Sequence, residues 1–158
     1  MANLYRTHNC GELRINNINE EVRLSGFVQT IRNLGKMMFI DLRDEHGITQ
    51  IVINDDTNLE EKIKDINKEC TITVTGNVVE RTSKNDKIPT GEIEIVAKDI
   101  TVLGKCRNSL PFEINVEGQN VREDLRLEYR FLDLRNEKIH NNILLRSKIM
   151  KSLRNKMD

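Results

Sequence analysis

Between residues 22 and 54 apolar and polar side chains alternate almost one for one. In "VRLSGFVQTIRN" (22–33) Val22, Leu24, Gly26 and Val28 share a face. In "MMFIDLRD" (37–44) Met38, Ile40 and Leu42 share one, and in "ITQIVIN" (48–54) Thr49, Ile51 and Ile53 do. Period two over runs of this length predicts half-buried strands. Gly35 in "LGK" supplies the positive φ that a tight hairpin needs, and "EHG" joins the second and third strands. After Asp55 the period changes. "NLEEKIKDINKE" (58–69) sets Leu59, Ile63 and Ile66 at helical spacing, with Asp56, Thr57 or Asn58 as N-cap. "TITVTGNVVERT" (71–82) returns to period two with Ile72, Val74, Gly76 and Val78 inward. A polar loop, "SKNDKIPTG", leads to "EIEIVAKDITVLG" (92–104), with Ile93, Ile95 and Ala97 inward.

The expected order is strand, strand, strand, helix, strand, strand. That is the order of a mainly β, five-stranded OB-fold Greek-key barrel with its helix between strands three and four. An SH3-like barrel lacks that helix and fits less well. The barrel is expected to occupy residues 1–105. Residues 106–135 read as a linker or hinge holding Pro111 and then a short charged helix, "REDLRLEYRFLDLR". Residues 136–158 read as one helix, with Ile139, Ile143, Met150, Leu153 and Met157 in a stripe. A stripe that wide calls for a partner surface, and the chain is expected to stop where another domain begins.

Charge changes the picture little. The chain has 25 basic and 25 acidic residues among 158, so no global field draws it to nucleic acid or an anionic membrane. Any nucleic-acid site must be a local patch. Cys10, Cys70 and Cys106 are widely spaced and odd in number, which favours reduced thiols over a disulfide scaffold or a zinc site. His8, His46 and His140 form no metal-ligand pattern, and no metal or catalytic residue is assigned. The start "MANLYRTHNC" is not a signal segment, and no apolar run reaches membrane-spanning length. These readings point to a soluble, cytoplasmic protein without a membrane partner.

Parity then isolates a face. With the inward sets fixed, Phe39, Asp41, Arg43, Gln50, Asn77, Arg81, Glu92 and Glu94 point outward. Single-strand recognition combines aromatic rings as stacking platforms with polar groups that read base edges. Gln50 offers a donor and an acceptor, and Glu94 an acceptor. Carboxylates on the face suit base reading and oppose phosphate gripping. The competing reading is a plain barrel surface: Phe39 as core, Gln50 and Glu94 as solvated groups, Arg81 as a cross-strand ion-pair partner. Arg32 stands against the pattern, because it shares parity with the inward set. It reaches the face only across a bulge or past the end of regular pairing.

The segments "YRTHNCGELR", "VRLSGFV", "RNLG", "FIDLRDEHGITQIV", "TGEIEI" and "LRLEYRFLDLR" occur in order over nearly the whole chain. Together they resemble the bacterial-type aspartyl-tRNA synthetases. The resemblance implies an N-terminal OB-fold that recognises the anticodon of aspartate tRNA, then a hinge, then the first helix of a class II catalytic domain. It implies that the full-length ligase attaches aspartate to tRNA with ATP and Mg as a homodimer. This chain, lacking the motifs that hold ATP and aspartate, is expected to bind no cofactor, to be inactive alone, and to be monomeric or weakly associated.

The resemblance also implies roles. Phe39 corresponds to a phenylalanine that stacks on an anticodon base, and Gln50 to a glutamine that hydrogen-bonds the middle uracil. Arg32, Arg81 and Glu94 correspond to further anticodon contacts, Glu94 toward the first base, and Asn85 to a polar contact from the fourth loop. Where many relatives carry consecutive arginines, this chain reads Gln29, Thr30, Ile31, Arg32. Phe27 replaces the usual tryptophan, and Phe131 the usual tyrosine. Two alternatives stay open: a free-standing OB-fold protein for single-stranded RNA or DNA, and the anticodon domain of a related asparagine or lysine synthetase.

Overall fold

The computed structural model describes residues 5–54, 59–64, 66–106, 110–114 and 120–157. Five strands carry the alternation: β1 (Glu21–Leu34), β2 (Met37–Arg43), β3 (Ile48–Asn54), β4 (Thr71–Glu80) and β5 (Ile93–Gly104). They close into a barrel in the order β1-β2-β3-β5-β4, with β4 returning to β1. Neighbours are antiparallel except β3 and β5, which run parallel. This is the OB-fold arrangement expected from the element order.

The inward sets read from parity form the core. Val22, Leu24, Val28, Ile40, Leu42, Ile51, Ile72, Val74, Val78, Ile93, Ile95 and Ala97 are all buried, and Met38 packs against them. Removing this much branched apolar surface from water is the main drive for closing the barrel. Phe27, outward on β1 opposite Arg43 and Thr71, is half-buried.

The turns follow local chemistry. Leu34 pairs with Met37 across Gly35-Lys36, and Gly35 adopts φ +70. At the β2–β3 turn Asp44 acts as an Asx cap: its Oδ1 accepts from His46 N at 2.7 Å and Gly47 N at 3.1 Å. Its Oδ2 accepts from Cys10 N at 2.9 Å, and Thr49 Oγ1 donates to the Cys10 carbonyl. The N-terminal segment is thereby stitched onto this turn. Burial, with Asp44 alongside, pushes the Cys10 thiol well above its ordinary range. Cys10 is fully buried and packs in the barrel core.

The helix expected over 58–69 is much shorter. Only Glu60–Ile63 (α1) is helical; Leu59 and Ile66 are buried and Ile63 packs against the barrel core. The apolar spacing reported burial correctly, but the chain leaves the helix: Cys70 N bonds Asn67 O at 3.1 Å, and Glu69 sits at φ +63. The N-cap candidates Asp56, Thr57 and Asn58 lie outside the described residues.

The chain divides into two compact units, Met1–Arg107 and Asn108–Asp158. In the second, the expected single charged helix is two, α2 (Glu123–Glu128) and α3 (Arg130–Asp133), separated at Tyr129, whose φ −105, ψ 45 is not helical. Phe112, Ile114 and Leu132 form a small cluster there. Buried Asp133 is held by Arg126 Nε at 2.8 Å and by Arg130. In α4 (Glu137–Met157) the helix is capped by Asn136 Oδ1, which accepts from Lys138 N at 3.1 Å and Ile139 N at 3.3 Å. Ile143, Met150, Leu153 and Met157 of the expected stripe are exposed.

Candidate nucleic-acid interface

The pleat of the barrel sets outward side chains in rows across strands. One row runs Arg32, Phe39, Val52, Val96 and Asn77 through successive register pairs. The next holds Thr30, Asp41 and Gln50, with Glu94 and Val79 paired beyond.

Arg32 joins the outward set because β1 bulges. Val28 pairs with Leu42 and Thr30 with Asp41, so Gln29 is the extra residue and the parity of β1 inverts after it. Ile31 then opposes inward Ile40, and Arg32 opposes outward Phe39. The parity conflict in the sequence is resolved by this one inserted residue.

Three candidates meet in a single hydrogen-bonded chain. Arg32 Nη2 donates to Asp41 at 3.1 and 3.3 Å and to Gln50 Oε1 at 3.1 Å. Gln50 Nε2 donates to Glu94 Oε2 at 2.8 Å. Gln50 is only 3% exposed, so the solvated-surface reading of this glutamine fails. The Arg32 side chain, 48% exposed, lies over it. One cation stands here among two carboxylates, which disfavours a phosphate and leaves hydrogen-bonding edges as the usable chemistry. Phe39, half-buried beside Arg32 and Val52, presents a ring at the edge of this chain.

Arg81 and Asn85 are not part of that chain. Arg81 follows β4 on the outward parity, its backbone N donating to Glu92 O at 2.8 Å. Its side chain makes no ion pair among the described residues; Glu92 is approached instead by Lys84 at 3.7 Å. An arginine left in this way keeps its donors for a ligand. Asn85 builds its own loop: its N donates to Gly91 O at 3.0 Å, and its Oδ1 accepts from Lys87 N at 3.1 Å.

Asp41 is the residue that sequence reasoning left without a role. It was visible as an outward carboxylate, but its function as the anchor of Arg32 depends on the bulge. Arg43 moves the other way. Outward by parity, it is buried and ion-paired to Glu69, and so belongs to the scaffold.

Residues 22–103 match the family described as OB-fold nucleic acid binding domain, and residues 122–158 match tRNA synthetases class II (D, K and N). The chain is 48% identical over 155 residues to the Aspartate–tRNA ligase of Streptomyces avermitilis, covering 97% of this chain and 26% of that protein. It is also 48% identical over 155 residues to the Aspartate–tRNA(Asp/Asn) ligase of Gluconobacter oxydans, with the same coverage of 97% and 26%. The chain thus spans about a quarter of the length of the curated relatives it matches. Among solved structures, an aspartyl tRNA synthetase from Entamoeba histolytica superposes with a TM-score of 0.83 at 20% identity, over 94% of this chain and 36% of that one. At that identity the likeness speaks to the fold.

Proposed function

The chain belongs to the OB-fold nucleic acid binding domain family, and from this we propose that it recognises the anticodon loop of aspartate tRNA as part of a cytoplasmic aspartate–tRNA ligase. The observation that carries the reading is the chain Asp41–Arg32–Gln50–Glu94 beside Phe39. It gathers an aromatic platform and a buried, oriented amide on one outward face. Phe39 stacks on an anticodon base, and Gln50 pairs with the middle uracil. Arg32, Arg81 and Asn85 supply further contacts, and the second oxygen of Glu94 serves the first base. With few cations on the face, affinity comes from bases more than from counterion release, and its salt slope is shallow. Residues 1–105 form the reading domain, 106–135 the hinge and 136–158 the start of the catalytic domain. The full-length ligase, a homodimer, supplies the ATP and Mg chemistry that charges the tRNA.

The test is a titration of the chain with an aspartate anticodon stem-loop and with a copy whose central uracil is cytosine. The cytosine copy should bind more weakly by roughly 1–3 kcal/mol, the worth of a good base-edge pairing. Phe39→Ala should lose about 1–3 kcal/mol of affinity for the uracil stem-loop, as when a base–aromatic stack is removed. Equal binding of both stem-loops, with steep salt dependence, would replace this reading by a general single-strand binder.

A further inference from the structure

We propose that Arg32 and Glu94, with Asp41 behind Arg32, are positioning residues that hold the Gln50 carboxamide in one polarity, and that this polarity separates uracil from cytosine at the middle base. The proposal rests on the reading that Gln50 meets that base.

The amide of a glutamine is nearly symmetric in shape, and in isolation it turns over freely to suit either partner. Cytosine and uracil differ in just the sense that such a turn would accommodate. Uracil offers an N3–H donor beside the O4 acceptor; cytosine offers an N3 acceptor beside the N4 amino donor. A free glutamine would pair with either base, and so would discriminate poorly.

Gln50 is not free. Its Oε1 accepts from Arg32 Nη2 at 3.1 Å, and its Nε2 donates to Glu94 Oε2 at 2.8 Å. Turning the amide over would aim an N–H at a guanidinium and a carbonyl at a carboxylate. Two charge-assisted hydrogen bonds would become two like-polarity contacts around an amide that is itself only 3% exposed. The chemistry of the flanking groups therefore fixes which end is oxygen. Asp41 closes the arrangement by accepting from the same Arg32 Nη2 at 3.1 and 3.3 Å. One lone pair on Oε1 and one N–H on Nε2 remain, a fixed acceptor–donor pair. Against a base held in one pose by stacking, that pair accepts from N3–H and donates to O4 of uracil. It opposes both groups of cytosine.

The test measures the ratio of dissociation constants for central-cytosine and central-uracil stem-loops, with the first and third bases unchanged. Glu94→Gln removes the carboxylate while keeping the side chain's shape, so the amide is free to turn on that side. The ratio should fall about tenfold, mainly because the cytosine stem-loop binds more tightly than it does to the unaltered chain. A residue with a merely structural role would not produce that gain. Asp41→Ala should shift the ratio in the same direction by a smaller factor. Gln50→Ala should bring the ratio near one by weakening uracil binding. If Gln50→Ala collapses the ratio while Glu94→Gln leaves it intact, or lowers it through uracil loss alone, the polarity lock is wrong and the base reading stands. If Gln50→Ala leaves the ratio unchanged, the base reading itself fails.

Discussion

Glu69→Ala should lower the stability of the barrel by about 3–5 kcal/mol, the largest effect expected of any single change to a charged residue here. Arg43 Nη2 lies 2.9 and 3.0 Å from the two oxygens of Glu69, and each side chain is 9% exposed. Truncating the glutamate strands a guanidinium in a place water scarcely reaches. The pair itself is a weaker source of stability than that number implies, because both charges were desolvated to form it. Replacing both at once, Arg43→Met with Glu69→Leu, should therefore restore most of the loss. Glu69 also occupies φ +63, where alanine and glutamate are similarly disfavoured, so the backbone term largely cancels from the comparison. Urea unfolding followed through the methyl resonances of Ile40 and Ile72 measures both variants. A single mutant as stable as the unaltered chain would show that Arg43 finds water or another partner.

Gly11→Ala should cost about 3 kcal/mol by a different route. A Cβ at Gly11 would overlap the carbonyl oxygen of His46, with the carbonyl carbon and Gly47 N close behind. All three are backbone atoms of the β2–β3 turn, so no rotamer change can make room. The N-terminal segment must lift away. That breaks the Cys10 N–Asp44 bond and the Thr49–Cys10 bond and uncovers Cys10 and Leu13, which are fully buried. Amide exchange at Cys10 should accelerate along with the fall in unfolding midpoint. Slow exchange in a stable Gly11→Ala protein would mean the segment is not seated as described.

These two sites show what kind of information the sequence carried. "CGELR" and "DLRD" are among the segments on which the resemblance rests, and in the structure Cys10, Gly11 and Asp44 hold the N-terminal segment to a hairpin turn. They identify the chain without touching the candidate site. The barrel itself was legible because period-two alternation is a direct consequence of one buried face, as Val22, Leu24 and Val28 show. The site was legible only in part. Parity put Phe39, Gln50 and Glu94 on one face, but it says where a side chain points and not what covers it. Gln50 is covered by longer neighbours reaching across strands, and Arg43 by Glu69 from a segment 26 residues away. Arg32 was legible only conditionally: alternation turned it inward unless a bulge intervened, and the bulge at Gln29 inserts the one residue that reverses every later assignment on that strand. The helix after β3 failed differently, since its apolar spacing survives in a segment with one helical turn.

The outward face carrying Arg32, Phe39, Gln50 and Glu94 is expected to meet the anticodon loop. Backbone and side-chain amide shifts of the 15N-labelled chain, followed during titration with the aspartate anticodon stem-loop, test it most directly. Saturable changes should concentrate at Arg32, Phe39, Asp41, Arg81 and Glu94 and at the carboxamide of Gln50. Changes centred instead on Glu21, Arg23, Thr75 and Lys98, elsewhere on the barrel, would contradict it.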